Sequence, residues 1–153
     1  MRVRRALPSI LAVAIACACA ERIKGPDFDV KVTFSEAAGA KLHRLGERIK
    51  VAVYFDGDSK RGPSERNAPF RAVLLGQKVL DIGVEEVAHI RGVTFSASDY
   101  ADLDDGRYFA TLNVFSARLR DPNNFLDCGA SEITAESLAN RTIEVQCRLL
   151  GER

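Results

Sequence analysis

Four groups of residues in this 153-residue chain have types that do chemistry, and their spacing limits what that chemistry is. Cys128 and Cys147 lack the C-x-x-C spacing of a redox or zinc pair and have no histidine beside them, so they read as one structural disulfide. His43 and His89 are the two histidines. His43 sits beside Lys41 and Arg44 on the charged side of a short helix, and His89 ends an irregular apolar stretch. Nothing in the sequence ties either to the other or to a carboxylate, as a metal or catalytic histidine requires. Asp99, Asp102, Asp104 and Asp105 are weak candidates for calcium ligands. Calcium needs about six to eight converging oxygens, so a solvated acidic loop is the expectation. Asp56-Gly57-Asp58-Ser59-Lys60 starts like a calcium loop but lacks its later ligands and its closing glutamate. No G-x-S-x-G or comparable nucleophile setting occurs, and Asn140-Arg141-Thr142 is a glycosylation sequon without further context. No cofactor is expected.

The other two cysteines belong to a different feature. Met1-Arg2-Val3-Arg4-Arg5 is a basic start, residues 10–20 are apolar throughout, and Ala18-Cys19-Ala20 is the small-x-small pattern that precedes signal cleavage. The expectation is a cleaved signal peptide over 1–20 and a single domain over 21–153, exported to the periplasm or secreted. The apolar run is about a dozen residues, short of the roughly 20 that span a bilayer. In the alternative, Cys17 or Cys19 is the lipidated first residue of a membrane-anchored lipoprotein, although the position three before each cysteine is alanine, not a larger aliphatic residue. Loss of Arg2, Arg4 and Arg5 with the leader turns 22 basic residues into 19 against 21 acidic, a net charge of −2. That balance, without a basic run, gives no footprint for nucleic acid. It likewise gives none for anionic headgroups, which leaves a lipid anchor as the route to a membrane. Two cysteines then remain in an oxidising compartment, which supports their pairing.

The elements that position these residues are mostly strands. Residues 27–35 alternate, with Phe28, Val30, Val32 and Phe34 on one face. Ser35 and Gly46 bracket a short helix ending at Leu45. Residues 48–56 alternate again, and 57–69 form a long polar loop. Strands are predicted over 70–75 and 77–82, broken at Gly76, then over 92–96 and 107–117. On the last of these, Tyr108, Ala110, Leu112 and Val114 share one face and Phe109, Thr111, Asn113 and Phe115 the other. Thr134 is placed to cap a helix of one to two turns, with Ile133 and Leu138 as a hydrophobic staple. Residues 142–150 form the last strand, with Cys147 on its buried face. About seven strands with turn signals between them predict an antiparallel β-sandwich carrying one or two short capping helices.

Asp104-Asp105-Gly106-Arg107-Tyr108 has the D-x-G-x-Y form of a tyrosine corner and resembles the start of a late strand in immunoglobulin-like or transthyretin-like domains. The resemblance spans five residues and implies that Asp104, Gly106 and Tyr108 fix a structural corner through the tyrosine hydroxyl. Ala110 stands where an antibody-type domain has its second cysteine, and the chain has no tryptophan. With Tyr108 facing inward, Phe109 and Phe115 face outward as a contact patch. The function expected from these features is that of an exported, non-enzymatic binding or structural module, its partner a protein or glycan of the bacterial envelope. The alternatives are a secreted metal-binding accessory and a small hydrolase using paired carboxylates.

Overall fold

The computed structural model describes residues 21–61 and 73–152, where the chain is mainly β, with ten strands in three sheets and two α-helices. The expected signal segment with Cys17 and Cys19, most of the 57–69 loop, and residues 70–72 of the strand predicted over 70–75 lie outside the described residues. A two-stranded ribbon joins β1 (Arg22–Lys24) to β6 (Thr94–Ser96). One four-stranded sheet has the order β5-β2-β10-β8, formed by Val87–Ile90, Phe28–Phe34, Thr142–Leu149 and Leu126–Asp127. The other has the order β4-β3-β7-β9, formed by Val73–Ile82, Ile49–Gly57, Phe109–Ser116 and Ala130–Thr134.

The alternating residues bury as their period requires. Phe28 and Val30 of β2, Val51, Val53 and Phe55 of β3, Leu112 and Val114 of β7, and Val145 and Cys147 of β10 enter one hydrophobic cluster. The rings of Phe28, Phe55, Phe95, Tyr108 and Tyr100 make a chain of tilted and edge-on contacts, with centroids 5.3–6.4 Å apart. This spacing is favourable for aromatic quadrupoles. Helix α1 (Glu36–Leu45) forms as expected: Ser35 Oγ accepts the Ala38 N–H at 3.2 Å, and Gly46 takes the left-handed conformation (φ 60°) that ends the helix.

Four expectations need correction. Residues 73–82 form one strand, not two, because Gly76 lies at a bulge opposite Phe55 and Asp56. An added Cβ there would meet the Phe95 ring at 3.6 Å, an ordinary contact, and the ladder continues on both sides of the bulge, so the glycine does not break the strand. The sheets are not wholly antiparallel, since β10 runs parallel to β2 from Thr142↔Asp29 to Cys147↔Phe34. Residues 130–134 form an edge strand on β7, followed by a single 3-10 turn (Ala135–Ser137) and no α-helix. There the Thr134 hydroxyl meets Ser137 Oγ at 2.8 Å and makes no cap bond. The acidic loop folds into α2 (Ala97–Ala101) and a 3-10 turn (Asp104–Gly106).

Candidate functional site

The two outward-facing phenylalanines belong to a larger face. On β3 the inward set Val51, Val53 and Phe55 leaves Lys50, Ala52, Tyr54 and Asp56 on the opposite side. The register aligns Tyr54 with Gln77 and Thr111, Ala52 with Val79 and Asn113, and Lys50 with Asp81 and Phe115. Asp56 stands between Leu74 and Phe109. The outer face of β4-β3-β7-β9 therefore carries Phe109, Tyr54 and Phe115, interleaved with Thr111, Asn113 and Gln77. Leu74 (57% exposed) and Val79 (49%) stand on its edge strand. Phe109, Tyr54 and Phe115 are each partly buried, and the Arg118 guanidinium lies 5.9 Å from the Phe115 ring centre. Tyr54, Val79 and Leu74 were missed in the sequence, because only the strand register shows that they share a face with the β7 phenylalanines.

The acidic cluster does not act as one group. Asp102 accepts from Ser59 Oγ (2.8 Å) and from Arg61 Nε (2.8 Å), bonds that hold its carboxyl below the usual range. Asp105 pairs with Arg107 at 3.4 Å. Among the described residues, no three His, Cys, Asp or Glu side chains gather to hold a metal ion. Asp104, Asp105 and Gly106 make a turn in which the Asp104 carbonyl accepts the Arg107 N–H at 3.2 Å, with positive φ at Asp105 (53°) and Gly106 (66°). The Tyr108 ring enters the aromatic chain, where burial, then Tyr100, raises its pKa. The turn packs against Gly57, where an added Cβ would lie 2.6 Å from the Arg107 carbonyl oxygen.

Both histidines have carboxylate partners, contrary to expectation. The β2–β5 register sets His89 opposite Asp29, with Nδ1 2.8 Å from Oδ1, and Arg91 reaches the same oxygen at 2.6 Å. The bonds from His89 and then Arg91 lower the Asp29 pKa. Across the sheet the row runs His89, Asp29, Thr142. The aspartate separates the imidazole from the threonine hydroxyl, so the row is not arranged as a nucleophile with its base. His43 lies 3.8 Å from Glu85 on the surface.

Cys128 and Cys147 are joined, linking the end of β8 to the buried face of β10. The one buried carboxylate among the described residues is Glu47, 3% exposed, which sequence patterning did not single out. It accepts the N–H groups of Arg120 (2.8 Å), Arg48 (3.0 Å), Leu119 (3.1 Å) and Asp121 (3.3 Å). Burial pushes its pKa up, but these four bonds outweigh burial and leave it below the ordinary value.

Comparison of the chain with protein-family models, with curated proteins and with solved structures finds no match.

Proposed function

We propose that the chain is an exported, non-enzymatic binding or structural module of the bacterial envelope, a two-sheet sandwich of immunoglobulin-like or transthyretin-like kind. Its outer β4-β3-β7-β9 face engages an envelope protein or glycan. The observation that carries this reading is the aromatic and amide face of Tyr54, Phe109, Phe115, Thr111 and Asn113, flanked by exposed Leu74 and Val79. Aromatic groups set among hydrogen-bonding side chains are the usual make-up of a recognition surface. The disulfide is consistent with an oxidising, exported compartment. Among the described residues, no helix is long and apolar enough to cross a membrane.

Affinity capture from native envelope extract tests the reading, with the parent protein compared to a Tyr54→Ala/Val79→Glu variant. The expectation is a partner that the parent retains and the variant loses at least about tenfold, a drop typical of removing a binding hot spot. Equal capture by both proteins rules out this face.

A further inference from the structure

The loop between β7 and β8 rises to an apex, Arg118-Leu119-Arg120, whose three side chains are all exposed, Leu119 to 58%. The fold holds this apex firmly. The buried Glu47 carboxylate binds the N–H groups of Leu119, Arg120 and Asp121. The Ala117 N–H donates to the Arg48 carbonyl at 2.8 Å, and Lys41 reaches Asp121 at 3.4 Å. Arg118 itself is left-handed (φ 61°), a conformation costly for a residue with a side chain. A buried carboxylate and a left-handed arginine persist only where their surroundings enforce them, and such features concentrate at functional segments.

Charge gathers at the same end. Arg44 lies one helical turn beyond Lys41 on the same side of α1, and Lys50 stands opposite Phe115, whose ring is beside Arg118. Arg44, Lys50 and Arg120 make no ion pair among the described residues. Acids also lie near: Glu47 is solvated by backbone N–H groups, Asp121 pairs with Lys41, Arg48 reaches both Asp81 and Glu86, and Asp81 stands opposite Lys50 in the register. What remains is an exposed leucine between two exposed arginines, with Arg44, Lys50 and Arg120 outside any ion pair among the described residues.

We propose that this apex docks on an anionic phospholipid bilayer. Arg118, Arg120, Arg44 and Lys50 meet headgroup phosphates, and Leu119 enters the boundary between headgroups and acyl chains. Guanidinium groups suit phosphate because they donate in pairs. A single leucine anchors weakly by itself, so charge and apolar insertion must act together. A segment of three exposed residues suits a lipid surface better than an acidic protein, which needs a broader complementary face. The proposal rests on the exported-module reading, since an envelope supplies such a bilayer.

The test is flotation of the exported protein with vesicles of phosphatidylcholine alone, or mixed equally with phosphatidylglycerol. The expected result is binding to the anionic vesicles at low salt and release at high salt, where screening is strong. An Arg118→Gln/Arg120→Gln variant should bind at least about fivefold less and Leu119→Ser about threefold less, with unchanged melting because these chains are exposed. Arg44→Gln/Lys50→Gln repeats the test without touching the apex. An acyl anchor on Cys17 or Cys19 holds parent and variants alike on both vesicle types, so the salt-dependent difference between parent and variant isolates the apex. Parent protein that ignores anionic vesicles, variants that bind them equally, or an apex that takes polyglutamate in place of vesicles would each overturn the proposal. Arg118, Leu119 and Arg120 follow β7 and are not on the strands of the β4-β3-β7-β9 face, whereas Lys50 stands on it, so the Arg118→Gln/Arg120→Gln variant is the one that separates the two sites. Vesicle failure with face-dependent capture intact therefore removes the docking point alone, whereas failure of both removes the module reading beneath it.

Discussion

Two single residues govern local order out of proportion to their size. Glu47→Ala leaves the N–H groups of Leu119, Arg120 and Asp121 without their acceptor, so it should destabilise the protein by about 2–4 kcal/mol in denaturant unfolding. The carboxylate also sets a pH dependence. Its folded pKa is lowered, so its contribution is complete above the ordinary glutamate value of about 4.3 and is lost as pH falls through the folded value. Glu47→Gln should flatten part of that acid-side loss. At Gly57 a methyl group would lie 2.6 Å from both the Arg107 carbonyl oxygen and Leu103 Cδ2. Because one of those atoms is backbone, Gly57→Ala should cost about 1–3 kcal/mol of unfolding free energy. Neither role was visible in sequence. A glutamate after a helix-ending glycine looks like any surface residue until the 117–121 loop folds over it, and Gly57 looked like loop.

At the scale of elements, β8 depends most on a covalent link. It has two residues, Leu126–Asp127, opposite Leu149 and Arg148 of β10, and the disulfide closes its end. Reduction should cost about 3 kcal/mol in unfolding free energy for a loop of this length, with a sequence separation of 19. The non-reduced protein should weigh less than the reduced one by two hydrogens, and a free-thiol assay that finds both thiols in protein purified without reductant contradicts the bond. The pairing was legible because Cys17 and Cys19 fall in the expected signal segment, which leaves Cys128 and Cys147 as a pair. So were α1, with its Ser35 and Gly46 caps, and the alternating strands β2, β3, β7 and β10. Strand β9 was not: Ala130-Ser131-Glu132-Ile133-Thr134 has one large apolar residue and pairs because β7 offers it an open edge. Gly76 was taken for a break because glycine marks turns and bulges alike.

Across the whole molecule, several carboxyls are held below their ordinary pKa by hydrogen bonds, some local and some joining distant parts of the chain. Asp29 meets His89 and Arg91, Asp102 meets Arg61 and Ser59, and Asp121 is held first by the Asn123 N–H and then by Lys41. Glu152 is held by the Leu149 N–H and by Ser35. Each lowered value favours the folded state above the ordinary carboxyl range and ceases to do so as these groups protonate, so the melting temperature should fall steeply below about pH 4. A melting profile that is flat from neutral pH into that range contradicts this ion-pair assignment.

By itself, the sequence pointed to the disulfide pair, the strand-rich class and the residues on the buried faces of β2, β3, β7 and β10. These depend on local spacing and on counting. Strand direction and neighbours lie beyond such reading, because a period of two is the same in parallel and antiparallel sheets. Only the tertiary structure set β10 parallel to β2, aligned Tyr54 and Val79 with the β7 phenylalanines, and brought Arg118 beside the Phe115 ring opposite Lys50. No local pattern marks the loop that follows β7 as a partner of α1; the two come together because Glu47 binds the N–H groups of residues 119–121 and Lys41 pairs with Asp121.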